Sequence, residues 1–195
     1  MHGLGSMIVA CIFANSSLCV MTFGKKTMNK ILISACLMGF NVRYDGSAKS
    51  LLHSTLAQWR SEGRVITCCP ELAAGFGTPR PAAEIIIGPT GSTRMQHGAR
   101  IMERTGTDVT DLYILGAHLA LRMAQLHHCR YALLADGSPS CGSETIYSGD
   151  FDGQTIPGMG FTAQILREQG IAVFSHRQVD QLVTSLRQDE EKNRP

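Results

Sequence analysis

The stretch that decides the predicted fold is KILISACL at residues 30–37, a short apolar run rich in β-branched residues. It is followed by Gly39 and by the turn-prone NVRYDG at residues 41–46. An apolar run of this length that stops at turn residues is typical of a buried strand followed by a loop. The next such run, VITCC at residues 65–69, is broken by Pro70 and predicts a second buried strand.

Apolar residues at helical spacing mark two helices among these strands. The first helix is predicted between the two strands, with Ser50 as its N-cap and Gly63 as its end. Its apolar positions are Leu51, Leu52, Leu56 and Trp59. A longer helix is predicted with Thr110 as its cap. Its apolar positions are Leu112, Leu115, Leu119, Met123 and Leu126.

The remaining segments continue the alternation of strands and helices. We predict a strand at residues 131–135, a helix at 162–169, a strand at 171–174 and a last helix through Val179 and Leu186. This order predicts a single Rossmann-like α/β domain, a mostly parallel sheet with helices on both faces. Residues 71–108 look irregular. Within them, three isoleucines at 85–87 stand before GPTG at 88–91 and predict a strand that turns back as a hairpin over the site.

Three segments are distinguished along the chain. Residues 1–27 include the apolar stretch MIVACIFA, which has no Lys or Arg ahead of it and is too short to span a membrane. We therefore predict a disordered or upstream extension at 1–27, a folded domain at 28–188 and a flexible tail at 189–195.

Composition narrows the class of protein. The chain has 195 residues, a formal charge of +2, and hydrophobic and charged fractions of 44% and 17%. These values are typical of a globular domain and argue against stable nucleic-acid binding or a membrane partner. Seven cysteines, an odd number at irregular spacing, do not indicate a disulfide framework. We therefore expect a reducing compartment, the cytoplasm. The oligomeric state stays open.

Three cysteines are candidate metal ligands. Cys36, Cys69 and Cys141 each follow a predicted strand, and parallel strands end at one edge of a sheet. Thiolates favour zinc, copper(I) and iron–sulfur clusters, and no C-x-x-C pair of the kind common in zinc sites is present. Dispersed thiolates suit a cubane cluster held at three corners. The alternative for each is a buried core cysteine. Cys68 and Cys129 are assigned to the core, and Cys11 and Cys19 lie outside the domain.

Polar residues near these cysteines supply further candidates. Glu71 can deprotonate water beside a metal site, or can be a solvated charge at a helix start. Ser138 and Ser140 can hold a substrate or shape a turn. We consider Arg43 and Arg80 as substrate contacts, although surface salt bridges are the commoner use of arginine.

Several motifs resemble those of the thiouracil desulfidase (TudS) family, long known as a domain of unknown function. The resemblance runs from about residue 30 to residue 175, with the motifs in the same order. They are SACLMG at 34–39, RYDG at 43–46, CPE at 69–71, TPRPAAE at 78–84, SPSCG at 138–142 and PGMGFT at 157–162.

This resemblance implies a [4Fe–4S] cluster held by Cys36, Cys69 and Cys141. It implies a catalytic glutamate at Glu71 and a catalytic serine at Ser138 or Ser140, of which we favour Ser138. The implied reaction is thiouracil plus water giving uracil and hydrogen sulfide. The substrate is then a thiolated pyrimidine, as base, nucleoside or nucleotide. The resemblance implies that the open cluster iron would take the substrate's sulfur while Glu71 would take a proton from the attacking water.

The chain departs from the family pattern at two places. Many relatives carry a cysteine where Val42 stands, which indicates that this position is dispensable for the cluster. Relatives often carry a basic residue where Asp136 and Gly137 precede the serine turn, which affects the expected choice of substrate.

Two other functions remain open from the residues. One is a non-catalytic iron–sulfur or metal-binding sensor of redox state or sulfur, which would release no sulfide from a thiolated pyrimidine. The other is a metal-free α/β enzyme with Cys141 as nucleophile, which would contain neither iron nor zinc.

Overall fold

The computed structural model of the protein describes residues 28–87 and 92–192. Its strands are β1 (Lys30–Ser34), β2 (Val65–Cys68), β3 (Ala83–Ile86), β4 (Arg100–Glu103), β5 (Cys129–Leu134), β6 (Thr145–Tyr147), β7 (Thr155–Pro157) and β8 (Ala172–Ser175). Its α-helices are α1 (Ser54–Ser61), α2 (Pro70–Ala73), α3 (Thr110–Leu126), α4 (Phe161–Glu168) and α5 (Val179–Lys192). No helix among these residues is long and apolar enough to cross a membrane.

A four-stranded parallel sheet forms the centre of the fold. Its strand order is β2-β1-β5-β8, and each neighbouring pair runs parallel. The pairs β1–β2 and β1–β5 align Ser34 with Cys68 and Ile33 with Leu133. The carboxyl ends of the three strands that precede the candidate cysteines therefore lie side by side. The predicted parallel α/β architecture is confirmed.

Helices cover both faces of this sheet, as predicted. Ile31 and Ile33 of β1 belong to a core cluster with α1 and α5, whereas Leu32 belongs to a cluster with α3 and α4. Successive side chains of a strand point to opposite faces, so one apolar strand supplies both cores. This is the physical reason that the central strands read as continuous apolar runs rather than alternating ones.

Some predicted element boundaries are wrong. The strand predicted over 30–37 ends at Ser34, and residues 35–38 form a short 3-10 turn. The first helix begins at Ser54, so Ser50 is not its cap: His53 is, and its ring accepts a hydrogen bond from the Thr55 N–H. Residues 51–53 are not helical, and the Leu51 N–H donates to the carbonyl of Leu37 at 2.9 Å.

The cap of the long helix also differs. Thr110 is the first helical residue rather than the cap. Its N–H donates to Oδ1 of Asp108 at 2.9 Å, so this aspartate supplies the acceptor that the helix start needs. Polar side chains cluster at this helix start, which is why sequence spacing alone selects the wrong one.

The described residues between 71 and 108 form more secondary structure than their sequence indicates. Strands β3 and β4 pair antiparallel, which confirms the predicted hairpin. Helix α2 lies before this hairpin in the sequence. A further small hairpin, formed later in the chain by β6 and β7, was not predicted. Short strands of this kind carry little periodicity and gain their stability from packing against the rest of the fold.

The two chain ends differ in what the structure describes. Residues 1–27, with Cys11 and Cys19, lie outside the described residues. At the other end α5 continues to Lys192, past the predicted boundary at 188. Glu190 of this helix forms an ion pair with Arg64 at 2.9 Å, which ties the last described helical turn to the start of β2.

Candidate functional site

Three cysteines meet at the carboxyl edge of the parallel sheet. Cys36 lies in the 3-10 turn after β1, Cys69 stands between β2 and α2, and Cys141 lies in the turn after β5. All three line one cavity of about 230 Å³. Topology thus brings together three residues that are far apart in the sequence, as the strand order requires.

The three thiols influence one another's ionisation. Burial, followed by the charges of Cys69 and Glu71, raises the pKa of Cys36 to about 11. Burial also raises the pKa of Cys141, and the charges of Glu71, Cys36 and Cys69 add to that effect. Burial and Glu71 raise the pKa of Cys69. Three thiolates gathered in such a cavity repel one another, so a bound metal centre would stabilise them together.

The candidate soft donors are three cavity-lining thiols, those of Cys36, Cys69 and Cys141. Among the described residues, no three His, Cys, Asp or Glu side chains are placed to hold one metal ion. A structural zinc site needs four such ligands converging on one point. Thiolates at three corners of an iron–sulfur cubane each bind a different iron, so they surround the cluster without meeting at one atom. Soft thiols spread around a cavity fit a cluster in this way.

The other described cysteines lie in the hydrophobic core. Cys129 starts β5, at the opposite end of that strand from Cys141. Cys68 ends β2 and also reaches the cavity wall, and burial followed by the charge of Cys69 raises its pKa to about 11. The pKa of Cys141 responds to the charges of Cys36 and Cys69. Of the adjacent pair, Cys69 contributes to the raised pKa of Cys141.

Glu71 is a mostly buried carboxylate in the first turn of α2, with its side chain 13% exposed. Its Oε2 pairs with Arg80, and its Oε1 accepts a hydrogen bond from the Ser138 hydroxyl at 3.2 Å. Burial raises the pKa of Glu71, whereas Arg80 and Ser138 oppose that rise. This glutamate is therefore not a solvated helix-start charge but a held carboxylate in the cavity wall.

The two candidate serines have different surroundings. The Ser138 oxygen accepts the backbone N–H groups of Ser140 and Cys141 at 3.0 and 3.1 Å, and its hydroxyl donates to Glu71. Ser138 lines the cavity. Ser140 is buried, and its hydroxyl bonds that of Thr162 at 2.9 Å, on the side of α4. The structure brings Ser138, and not Ser140, into contact with Glu71.

The two candidate arginines also differ. The Arg80 side chain is 5% exposed, and besides Glu71 it donates to the carbonyls of Val42 and Gly77. Arg43 lines the same cavity with its side chain about one third exposed, and it donates to Ser47 at 3.1 Å. The guanidinium of Arg80 thus bonds mainly to groups of the protein itself, whereas the Arg43 side chain is more accessible to solvent.

A model of the 2-thiouracil desulfurase family matches residues 31–178, which include all of these side chains. The chain belongs to this family. The resemblance found in the sequence motifs is thereby confirmed.

Two similar proteins place the desulfurase family match in context. A solved structure described as a [4Fe–4S]-dependent thiouracil desulfidase, TudS, shares 42% identity and a TM-score of 0.73. The alignment covers 81% of this chain and 97% of that one. The uncharacterized protein YbbK of Bacillus subtilis is 39% identical over 153 residues, which are 78% of this chain and 99% of YbbK.

Two residues of the desulfurase cavity carry no clear signal in the sequence. Lys49 lines the cavity, and its ammonium donates to the Asp136 carbonyl at 3.3 Å. Its backbone N–H donates to the Cys36 carbonyl at 3.0 Å. Tyr113 of α3 is buried beside Glu71, and a tyrosine at helical spacing is indistinguishable in sequence from an ordinary core residue. Lys49 follows the RYDG motif closely, and that proximity is its only signal.

Asp136 supports the turn that carries Cys141. Its Oδ1 accepts the N–H groups of Ser143, Glu144 and Thr145 at 2.8 to 3.4 Å. Burial raises the pKa of Asp136, but these three hydrogen bonds outweigh it and the net pKa is lowered. Asp136 thus has a structural role in the loop that follows Cys141.

The outer wall of the cavity comes from the β3–β4 hairpin and the loop after β6. Glu84 of β3 accepts the N–H groups of Gly149 and Phe151 at 2.9 and 3.1 Å. Arg104 donates to the Phe151 carbonyl at 3.1 Å and lies over its ring. The predicted hairpin therefore does border the site, and Glu84 and Arg104 fasten a second loop to it.

Proposed function

We propose that the protein removes sulfur from thiolated pyrimidines with the aid of a [4Fe–4S] cluster. The substrate would be thiouracil as free base, nucleoside or nucleotide, and the products uracil and hydrogen sulfide. The observation that carries the proposal is that three cavity-lining cysteines adjoin a held carboxylate, Glu71, in a chain of the desulfurase family. The cluster dependence of TudS, at 42% identity, supports the choice of cofactor.

Cys36, Cys69 and Cys141 would hold the cluster, each through its sulfur. When bound, a cluster held at three corners supplies an iron with a free coordination position, to which the substrate's sulfur can bind. Burial raises the pKa of Cys36, and Arg43 and Lys49 oppose part of that rise. These two cations compensate part of the negative charge that three thiolates bring into the cavity.

Glu71 would act as the general base that takes a proton from the attacking water. Burial raises the pKa of its carboxyl and strengthens it as a base, while Arg80 and Ser138 favour the ionised form. Both carboxylate oxygens have a protein partner, so the orientation of the group is fixed before the substrate arrives. In this role Arg80 positions Glu71, and Ser138 links it to the cysteine turn.

The reaction balances without any external electron donor. Water supplies the oxygen that replaces sulfur on the ring carbon, whose oxidation state does not change. Both protons of that water end on the departing sulfur, and Glu71 carries one of them. Arg43, the more exposed cation of the cavity, is the proposed contact for a polar atom of the substrate.

We place the protein in the cytoplasm. The five described cysteines are all free thiols, and three of them must stay reduced to hold a cluster. A reducing compartment preserves them in that form.

The decisive experiment replaces Glu71 with glutamine in anaerobically prepared protein. Glu71→Gln keeps the side-chain shape but cannot accept a proton, so sulfide release from thiouracil should fall by roughly a hundredfold or more. Iron content and the visible absorption spectrum should remain those of the parent. Glu84→Gln is the matched control, because an amide oxygen can still accept the N–H groups of Gly149 and Phe151.

Three outcomes contradict the proposal. Turnover of Glu71→Gln at the parental rate would remove the water-activating role. Loss of iron in Glu71→Gln would make Glu71 a support for the cluster instead of a base. A parent protein that carries iron yet releases no sulfide from any thiolated pyrimidine would favour the alternative function, a non-catalytic iron–sulfur or metal-binding sensor.

A further inference from the structure

The turn that carries Cys141 leaves the sheet from strand β5, which lies between β1 and β8. In a parallel sheet, successive N–H groups of a central strand point alternately toward its two neighbours. The first N–H groups after Leu134 keep these directions, although the ladder of the sheet ends there. Each of them still needs an acceptor, because a buried backbone N–H without one is costly.

Side chains of the two neighbouring segments supply those acceptors. The Ala135 N–H donates to the hydroxyl oxygen of Ser34, the last residue of β1, at 3.2 Å. The next N–H, that of Asp136, donates to Nδ1 of His176 at 3.2 Å. His176 directly follows β8, and its own N–H donates to the Leu134 carbonyl at 2.8 Å. The ring of His176 therefore extends the pairing of β5 with β8 by one residue, with a side-chain nitrogen in place of a carbonyl.

The bond to His176 anchors the start of the cysteine turn, by which we mean residues 136–145. Asp136 is the first residue of this turn, and its carboxylate holds three N–H groups at the turn's other end. Ser138 and Cys141 stand between these two points, and both line the cavity. A shift of the Asp136 backbone would consequently displace both of them.

The same bond fixes the protonation state of the His176 ring. A backbone N–H can only donate, so Nδ1 must carry a lone pair and the proton of the neutral ring lies on Nε2. A second proton on the ring would turn Nδ1 into a donor and set two donors against each other. The cysteine turn would then lose its anchor, and the Asp136 N–H would be left without its acceptor.

The charged groups that face His176 favour the neutral ring on balance. Lys49 approaches from the segment after β1, where its ammonium donates to the Asp136 carbonyl at 3.3 Å. Arg177 is the next residue along the chain. Burial lowers the pKa of His176, and the charges of Lys49 and Arg177 lower it as well, whereas the Asp136 carboxylate opposes them. The ring is accordingly neutral and able to accept a hydrogen bond at pH 7 and above.

We propose that His176 is a positioning residue of the site, whose neutral ring holds the cysteine turn where Ser138 and the proposed ligand Cys141 are needed. The proposal rests on the proposed function, which it deepens. Among the described residues that line the cavity, Asp136 is present and His176 is not, so His176 acts through the backbone of Asp136. Protonation of the ring should slow sulfide release and weaken the retention of iron.

The test compares two substitutions in anaerobically prepared protein at pH 8, where the His176 ring is neutral. His176→Asn keeps an acceptor near the position of Nδ1 but cannot be protonated, whereas His176→Phe keeps a ring without an acceptor. His176→Phe should release sulfide from thiouracil roughly tenfold or more slowly, because a small displacement of a site is costly. It should also lose iron faster to a chelator. His176→Asn should stay within about twofold of the parent in both measurements.

The pH dependence separates positioning from packing. An unfolded chain protonates this histidine at about pH 6.5 and the folded chain only at lower pH, so the stability that the bond provides is present above that pH and lost as pH falls through the lowered pKa. The ratio of the His176→Asn rate to the parental rate should therefore rise on acidification. Protonation of Glu71 is common to both proteins and cancels in this ratio. The parental melting temperature should also fall more than that of His176→Asn.

His118→Gln is the matched control, because His118 is exposed on α3, and its pH profile should follow that of the parent. Equal losses in His176→Phe and His176→Asn would overturn the proposal, since the ring would then act only through its bulk. Parental iron retention and rate in His176→Phe would overturn it as well. A parent that releases no sulfide would contradict the proposed reaction alone, and faster iron loss confined to His176→Phe would still support the positioning role.

Discussion

At the scale of single residues, the site depends on partners that hold one carboxylate and one turn. Ser138 bonds Glu71 through its hydroxyl and accepts two N–H groups of the turn that carries Cys141. The proposed base and one proposed cluster ligand are thereby linked through a single side chain. Substitutions at Ser138 should therefore lower the rate of sulfide release more than they lower the stability of the fold.

The cysteine ligands give the first prediction at this scale. Cys36→Ser, Cys69→Ser and Cys141→Ser should each lose most of the bound iron, because we propose that each thiolate holds one corner of the cluster. Iron content and visible absorption of anaerobically prepared protein measure the loss.

Two core cysteines are the controls for that series. Cys129→Ser and Cys68→Ser should keep their iron, since both residues belong to the hydrophobic core. Cys68 is the sharper control because it adjoins Cys69 and touches the same cavity. An iron-free Cys68→Ser beside an iron-loaded Cys69→Ser would reverse the ligand assignment.

The two serines give a prediction in which one substitution lowers the rate of sulfide release and the other lowers the stability. Ser138→Ala should keep its iron and lower the rate of sulfide release, because Glu71 loses a hydrogen bond that fixes it. Ser140→Ala should instead lose about 1 kcal/mol of stability, because the buried Thr162 hydroxyl loses its partner, and should retain the parental rate. Turnover assays and thermal melting separate the two effects. Equal rate losses in both variants would contradict this division.

At the scale of elements, α3 holds α2 in place. A Cβ on Gly116 would lie 2.6 Å from the carbonyl oxygen of Pro70, which is too close for any side chain. Only glycine therefore lets α3 pack directly against the helix that follows Cys69 and carries Glu71. The buried face of α3 is thus selected by close approach rather than by apolar area.

Gly116→Ala is the prediction at this scale. Alanine stabilises an isolated helix relative to glycine by about 1 kcal/mol. Here it should destabilise the protein, because its Cβ would meet the backbone carbonyl of Pro70, which cannot shift without displacing α2. Both iron content and sulfide release should fall, because α2 is displaced. His118 lies on the exposed face of the same helix. His118→Ala raises the helix propensity and introduces no close contact, so this variant should melt at or above the parental temperature. A Gly116→Ala variant more stable than the parent would disprove the packing argument.

At the scale of the whole molecule, the sheet gathers the site and the helices enclose it. The cavity is lined by segments that follow β1, β2 and β5, with the β3–β4 hairpin as its outer wall. The sequence predicts that residues 1–27 are an upstream extension of the domain. We therefore expect residues 1–27 to be dispensable for the site.

Deletion of residues 1–27 tests that expectation. The shortened chain should keep its iron content and melting temperature, because poorly packed termini contribute little to stability. A large fall in either would mean that the apolar MIVACIFA stretch, or Cys11 or Cys19, is part of the fold. The full-length chain is the reference for both measurements.

The sequence by itself determined the sheet and the candidate ligands. Apolar strands that end in turn residues fix a parallel α/β fold, because such strands must be buried on both faces. Cys36, Cys69 and Cys141 follow three of these strands, so their meeting at one edge could be foreseen. The motif resemblance added Glu71 and the serine turn, and the family match agrees with it.

Tertiary structure alone decided which partners these residues have. Ser138, and not Ser140, bonds Glu71, and Arg80 pairs with the same carboxylate. Both contacts depend on loops whose course is set by distant parts of the chain. It also decided which face of α3 is buried. Periodicity identifies that helix by its leucines, but the packed face is the one whose small residues fit against α2. Periodicity records the spacing of apolar side chains, whereas burial depends on the shape of what they meet.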